Sequence, residues 1–355
     1  MLKNTVLLLL FLFSLTVVVG QKTKSTPYDL STLNDGPFVF IEQNNLVEKK
    51  IVNGKVIIKN RTLNSFKTTF SPEPSTYKNV KKIAAISDIH GQYDLAVTLL
   101  KNNNIIDEDL NWKFGKGHFV IAGDIFDRGD KVHETFLLVY KLEQQAKKQG
   151  GRVHFLLGNH EYMVLHNDLR YIHRKYKETT KLLRIGYDKL YGKNTVLGRW
   201  LRSKATIIKI NKDYFVHGGV SKDFIEKTGF SSETIHNINS KMRTSLERTK
   251  KEMKSTDFYT TYYRSKGLIW YRGYFNDNLE TKEIKDVLHS LDSKHIIVGH
   301  CSNEEVVQLF NHKIFGVDSS LKNGEYGELL LIKNKKYQRR TLQGKRKKFS
   351  KEVKR

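Results

Sequence analysis

His118-Phe119-Val120-Ile121-Ala122-Gly123-Asp124-Ile125-Phe126-Asp127-Arg128-Gly129-Asp130 decides how the rest of the chain is read. Phe119 to Ala122 suit a buried strand, the run breaks at Gly123, and Asp124, Asp127 and Arg128 follow on one loop before a helical pattern resumes near Val132. A short apolar run, then glycine and charges, then helix is how an open α/β sheet presents polar groups at the carboxyl end of a strand. For this loop alone, an ordinary salt-bridged turn is the simpler reading. The same arrangement recurs four more times, each time with a different metal-competent side chain.

Upstream, Lys81 to Ser87 reads as a strand ending in Asp88-Ile89-His90-Gly91, with a helix starting over Leu95 to Leu100. Downstream, a helix of roughly Lys131 to Gln149 keeps Glu143, Lys147 and Lys148 on its solvated side. A strand from Arg152 to Leu157 then ends in Gly158-Asn159-His160-Glu161. Residues 162 to about 205 read as helical. Ala205 to Ile210 and Tyr214 to Val216 form a β pair that delivers His217-Gly218-Gly219. A long helical stretch and Trp270-Tyr271-Arg272 follow, and His295 to Val298 ends in Gly299-His300.

Asp88, His90, Asp124, Asn159, His160, His217 and His300 therefore gather at five strand ends. Carboxylate, imidazole and amide oxygen suit Mn, Fe or Zn and do not suit copper or iron–sulfur clusters. The set is too large for one tetrahedral zinc and fits two metals sharing a carboxylate. Such a pair can clamp the oxygens of an in-line displacement at phosphorus. The other nine histidines have no such context and read as surface or core.

Composition agrees with a folded globular chain. The 355 residues are 39% hydrophobic and 11% aromatic, which excludes a disordered chain, and Cys301 stands alone, which excludes an internal disulfide framework. The net charge is +25. Lys333 to Arg355 holds twelve Lys or Arg against Glu352 and reads as a solvated, mobile basic tail, with contact to anionic polymers or a membrane surface as the minority reading. At the amino end, Lys3 precedes an uncharged run from Val6 to Val19. That run is shorter than the ~20 residues needed to span a bilayer and fits a signal peptide over 1–20, cleaved before Gln21. The expected location is outside the cytoplasm, periplasmic or secreted, with an uncleaved anchor as the alternative.

DIHG (88–91), GDIFDRG (123–129), GNHE (158–161), HGG (217–219) and GH (299–300) together resemble the ordered motifs of the calcineurin-like metallophosphoesterases, in particular the phosphoprotein phosphatase branch. GNHEYMVLHNDLRY, LGRWLRSKATIIKI and LIWYRGYF are similar to the Shewanella-like phosphatases of bacteria, plants and protists. The resemblance covers about 80 to 332. It implies an α/β fold, a metallophosphatase-type β-sandwich of two mixed sheets flanked by helices. It also implies that Asp88 and His90 hold a first metal, Asp124 bridges, and Asn159, His217 and His300 complete a second. His160 then matches the general acid, oriented by Asp127, and Arg128 grips the phosphoryl oxygens, with Arg272 opposite. One departure concerns the tyrosine-bearing loop that eukaryotic serine/threonine phosphatases carry after the last metal histidine. That region reads GVDSSLKNGEYGELL here, with no clear replacement, which leaves substrate choice open.

The domain reading is a signal peptide (1–20), a linker and small β appendage (21–79) with a hairpin at Asn53-Gly54, a metallophosphoesterase domain (80–332) and the basic tail (333–355). The expected activity is hydrolysis of a phosphorylated protein, peptide (tyrosine or serine/threonine) or small phosphomonoester by a hydroxide bridging two divalent or trivalent transition metals. Two rivals stand beside it. One is a dinucleoside polyphosphate or nucleotide hydrolase on the same site; the other is an inactive protein that binds anionic polymers. Segment 162 to 205 reads first as a helical cap with a packed face; receiving the aromatic or peptide part of a substrate, through Arg170 and Arg174, is the minority reading. The oligomeric state is not legible.

Overall fold

The computed structural model describes residues 28–350. The expected signal segment lies outside the described residues. β1 (Asp35–Ile41), β2 (Leu46–Val52) and β3 (Lys55–Arg61) form a small antiparallel sheet, with the expected turn at Asn53 (φ 48°) and Gly54 (φ 72°). Twelve further strands make two six-stranded mixed sheets. They are β4 (Thr76–Tyr77), β5 (Lys82–Ile86), β6 (His118–Ile121), β7 (Arg152–Phe155), β8 (Ile207–Ile210), β9 (Asp213–Val216), β10 (His295–Val298), β11 (Val307–Leu309), β12 (Ile314–Gly316), β13 (Glu328–Lys333), β14 (Lys336–Thr341) and β15 (Arg346–Lys347). One sheet runs β11-β12-β10-β9-β8-β4 and the other β15-β14-β13-β5-β6-β7.

Strand alternation builds the sandwich. On β5, Ile83 and Ala85 pack in the core shared with Val120, Phe215, Ile297, Phe315 and Leu330 of both sheets. Ala84 and Ile86 join the core beneath the helices. Burial on both faces explains why these strands read as unbroken apolar runs. The helices α1 (Tyr93–Asn102) and α2 (Val132–Lys148) connect the parallel strands β5, β6 and β7, and α3 (Asn159–Leu165) follows β7. Val132, Phe136, Val139 and Leu142 recur at helical spacing along the buried face of α2. Phe136 is fully buried, and truncating such a side chain to alanine costs about 3–5 kcal/mol.

Three expectations need correction. The stretch from Lys333 is no solvated tail as far as residue 347: β14 pairs with β13 along six residues and β15 closes the edge. The anchor is Arg339, buried, whose guanidinium binds both carboxylate oxygens of Glu328 at 2.8 Å. An unbroken basic run masks this, because an Arg-rich edge strand and a mobile tail look alike in composition. The main body also starts before residue 80, since β4 pairs with β8. Glu143 is not on a solvated face; it accepts from the Trp200 indole at 2.9 Å and pairs with Lys204.

The appendage packs against the main body. Asp35 Oδ2 accepts from Thr179 at 2.6 Å, and the Pro37 carbonyl lies 3.0 Å from His133 Nε2 on α2. It therefore ties the helix Arg174–Leu183 to the body of the fold. Among the described residues, no helix is long and apolar enough to cross a membrane.

Candidate active site

The carboxyl ends of β5, β6 and β7 in one sheet and of β9 and β10 in the other meet at one point. Asp88 and His90 follow β5, Asp124 follows β6, Asn159 and His160 open α3 after β7, His217 follows β9 and His300 follows β10. All seven are buried. His90 Nε2 stands 3.8 Å from Asp88 Oδ1 and 3.6 Å from Asp124 Oδ2. His217 Nε2 stands 3.2 Å from Asp124 Oδ2, 2.8 Å from Asn159 Oδ1 and 3.1 Å from His300 Nδ1. Two triplets, His90-Asp124-His160 and Asp124-His217-His300, have their ligand atoms within 4.8 Å of one another, with Asp124 common to both.

The backbone is bent hard to achieve this. Asp88, His90, Asp124, Asp127, Arg128 and His300 all have positive φ, between 47° and 72°. For side chains other than glycine this region costs on the order of 1 kcal/mol or more each, so the surroundings must impose it. Glu161 does much of that. Its buried carboxylate accepts from the backbone N–H groups of Asp124, Ile125, Phe126 and Gly158 at 2.8–3.1 Å. Asp88 Oδ2 and Asp124 Oδ1 are themselves fixed by the N–H groups of His300 (2.9 Å) and His160 (3.0 Å). Gly158 has no room for a side chain, because a Cβ there would sit 2.2 Å from Asp124 Oδ1.

The donor set fits a pair of cations. Nδ1 of His217 and Nδ1 of His90 each face a backbone carbonyl, Ala122 and Phe126, at 2.7 Å. Each Nδ1–H donates there, which leaves each Nε2 directed into the site. What converges is then a carboxylate, an amide oxygen and imidazole nitrogens, groups that accept and cannot satisfy one another. Only a cation or a proton resolves this, and without metal the proton lodges on His217. Burial opposes its charge, but the Asp124 carboxylate, the Asp88 charge and the Ala122 carbonyl together outweigh burial and push the pKa up to about 10. Burial with the nearby Asp318 charge pushes Asp88 up to about 8.

His160 differs from the ligands. Its Nδ1 is 2.6 Å from Asp127 Oδ2, and its Nε2 faces Asp124 Oδ2 at 3.9 Å. Burial lowers its pKa, but the carboxylates of Asp124 and Asp127 more than compensate, and the net shift is upward. Arg128 and Arg272 are exposed at the rim, on the His160 and His300 sides. Tyr171 stands beside Arg128: its ring lies 5.5 Å from the His160 ring and 5.7 Å from the Arg128 guanidinium, and it is 43% exposed. The Trp270 ring meets His300 edge-on at 5.4 Å, with Arg272 against it at 5.5 Å.

The ten residues that the sequence motifs assigned to the site therefore come to one place. Sequence reasoning missed Glu161, although it stands in the GNHE motif, and Tyr171, which closes the GNHEYMVLHNDLRY stretch. Arg170 is bound through two nitrogens to Asp168 at 2.8 and 2.9 Å, and its guanidinium lies 5.4 Å from the Tyr171 ring. Arg174 lies over the Tyr28 ring at 5.1 Å. In the departing loop, Tyr326 donates its hydroxyl to Glu328 at 2.7 Å and serves the Arg339 anchor.

Two sheets closing on a shared carboxylate, with imidazoles at the parallel strand ends, define a metallophosphoesterase centre, and residues 81–318 match the family described as calcineurin-like phosphoesterase, to which the chain belongs. It is similar to Shewanella-like protein phosphatase 1 of Plasmodium berghei, 25% identical over 335 residues, covering 90% of this chain and 82% of the relative. It is also similar to Shewanella-like protein phosphatase 2 of Arabidopsis thaliana, 22% identical, covering 70% and 73%. Among solved structures, the cold-active protein-tyrosine phosphatase of a psychrophilic Shewanella species is 40% identical, with a TM-score of 0.83, covering 88% of this chain and 98% of that one. The chain is a hydrolase with phosphatase activity.

Proposed function

We propose that this chain is an exported, metal-dependent phosphomonoesterase acting on phosphotyrosyl protein or peptide. The observation that carries the reading is His160, held at one ring nitrogen by Asp127 and turned with the other toward Asp124. Asp88, His90 and Asp124 would hold one metal, and Asp124, Asn159, His217 and His300 the other, with Mn, Fe or Zn suited to these ligands. When bound, such a pair supplies an activated hydroxide at neutral pH and neutralises charge on the phosphoryl group.

The remaining chemistry belongs to the protein. Arg128 and Arg272 face the phosphoryl oxygens from two sides, where a planar fork can bind two oxygens at once. His160 gives its proton to the leaving oxygen, and Asp127 keeps the imidazole charged and aligned until it does so. The leaving group must then exit on the His160 side, where the exposed Tyr171 ring stands. An aromatic leaving group can stack there, worth ~0.5–1.5 kcal/mol, and a serine side chain cannot. The name of the Shewanella relative, a protein-tyrosine phosphatase, points the same way.

The test is turnover of phosphotyrosyl peptide, phosphoseryl peptide, aryl phosphate and diadenosine tetraphosphate by protein loaded with Mn, Fe or Zn. The expected order places the phosphotyrosyl peptide first. Diadenosine tetraphosphate as the best substrate, or no turnover of any phosphomonoester, would overturn the reading. Export is tested by sequencing the amino terminus of protein recovered outside the cytoplasm, which should begin at Gln21.

A further inference from the structure

A groove of about 930 Å³ opens at the pole opposite the catalytic centre, where β5, β9 and β10 begin. β5 runs between the two, so Lys81 and Asp88 lie ~20 Å apart at ~3.3 Å per residue. Five lysines line the groove: Lys78, Lys81, Lys209, Lys212 and Lys335. Against them stand Glu233 and Asp292. Asp292 pairs with Lys212 at 2.6 Å and with Lys209 at 3.4 Å. Lys78, Lys81 and Lys335 are exposed, and none has a carboxylate within ion-pairing distance among the described residues.

The groove is built, not a chance gathering of mobile side chains. Segment 75–81, which carries two of the lysines, is stitched down along its length. The Asn211 side chain bonds both the N–H (3.1 Å) and the carbonyl (2.9 Å) of Val80. The backbone of Lys209 donates to Ser75, that of Asn211 to Tyr77, and that of Asn334 to Lys81, at 2.8–3.0 Å. In the floor, the Lys209 ammonium is buried and held largely by neutral oxygens: Ser232 Oγ (2.6 Å) and the carbonyls of Leu291 (3.2 Å) and Asp292 (2.8 Å). Positive charge fixed in a concave, low-dielectric wall concentrates its field on whatever enters. Fixing the backbone in advance also removes much of the entropy lost on binding.

We propose that this groove docks an extended acidic polypeptide segment, at a surface separate from the catalytic centre. Charge complementarity selects an anion, and shape and composition select among anions. A flat bilayer cannot follow a concave wall. Glu233 and Asp292 would repel a polymer charged at every unit, whereas a peptide can place uncharged residues opposite them. Asn79 and Asn334 supply the mixed donors and acceptors that a peptide backbone needs.

The test uses the full chain and fluorescence anisotropy of a short fluorescein-labelled peptide alternating glutamate with serine. Wild-type protein should bind it, more weakly as salt rises. The combined Lys78→Glu, Lys81→Glu, Lys335→Glu variant should bind at least about tenfold more weakly, since three exposed ion pairs at ~0.5–1 kcal/mol each sum to that change. A control with the same charge change elsewhere, Lys251→Glu, Lys282→Glu, Lys285→Glu, should stay within about twofold of wild type. Both variants should keep wild-type circular dichroism and aryl phosphate turnover. The proposal is overturned if wild-type protein does not bind the peptide or the groove variant binds like wild type. It is equally overturned if the control weakens as much or the groove variant loses turnover. Binding of heparin fragments or phosphatidylserine vesicles that depends on the groove lysines, with the peptide excluded, would replace it with a different partner.

Discussion

Asp127 Oδ2 lies 2.6 Å from His160 Nδ1, at the bottom of the loop that also carries Asp124 and Arg128. Burial disfavours a charged imidazole there, yet Asp124 and Asp127 hold its pKa above the ordinary value. A group shifted this way keeps its proton up to a higher pH than a free histidine and donates at neutral pH. Rate should therefore hold below the raised pKa and fall as pH rises through it. Asp127→Asn should move that alkaline limb of kcat/KM to lower pH. His160→Asn should lower kcat by about 10²–10⁴-fold while metal content stays at wild type. Wild-type turnover in His160→Asn would mean that another group is the acid.

Metal binding should expel protons. In the metal-free protein His217 is pushed up to about 10, so at pH 8 it carries a proton that a metal must displace. Calorimetry in buffers of different ionisation enthalpy should find about one proton or more released per chain. In metal-free protein, the stability owed to His217 is fully present below its unfolded pKa of ~6.5 and is lost as pH rises through about 10. Asp124→Asn should lower metal content and abolish turnover, because both ligand triplets contain Asp124.

Glu161 touches no substrate and should still matter. Four backbone donors converge on its carboxylate. A glutamine there turns one acceptor into a donor and leaves buried N–H groups unpaired. Glu161→Gln should destabilise the protein by about 2–4 kcal/mol, measured by urea unfolding. It should also loosen metal retention during dialysis against a chelator.

The basic segment can be tested as part of the fold. Arg339→Ala leaves the Glu328 carboxylate buried without its guanidinium, which should cost about 3–5 kcal/mol. Ending the chain at Ile332 should give insoluble protein, because β13 then loses its partner β14 along six residues.

Tyr171 should separate substrates. Tyr171→Ala should lower the ratio of kcat/KM for phosphotyrosyl over phosphoseryl peptide by about 2–12-fold, the equivalent of ~0.5–1.5 kcal/mol of ring stacking. Tyr171→Phe should keep the ratio. An equal loss on both peptides would assign the residue to the loop, which its carbonyl also supports by accepting from the Arg128 N–H at 2.9 Å.

The ten site residues were legible because the code for them is local. A buried strand must be apolar, the turn after it needs glycine, and a metal ligand must be Asp, His or Asn, so each motif shows itself within a few positions. The Asn53-Gly54 hairpin was legible for the same reason. Glu161 was not: three of its four partners are backbone amides of a loop about 35 residues earlier, and nothing in the side chains of that loop reports them. The Asp168 partner of Arg170 was not legible either, because a free rim arginine and one locked onto a nearby carboxylate have the same local sequence.

By itself, the sequence determined which side chains could ligate a metal and that strand ends would present them, since strand periodicity and ligand type are properties of short stretches. Only the tertiary structure decided that two sheets close on Asp124, that six non-glycine residues at the site are forced into left-handed backbone, and that the basic run after Ile332 is a strand anchored by Glu328. It also gathered Lys78, Lys81 and Lys335 from stretches more than 250 residues apart along the chain into one wall. These are contacts between distant segments, fixed by burial and hydrogen bonding across the fold, and no local pattern encodes them.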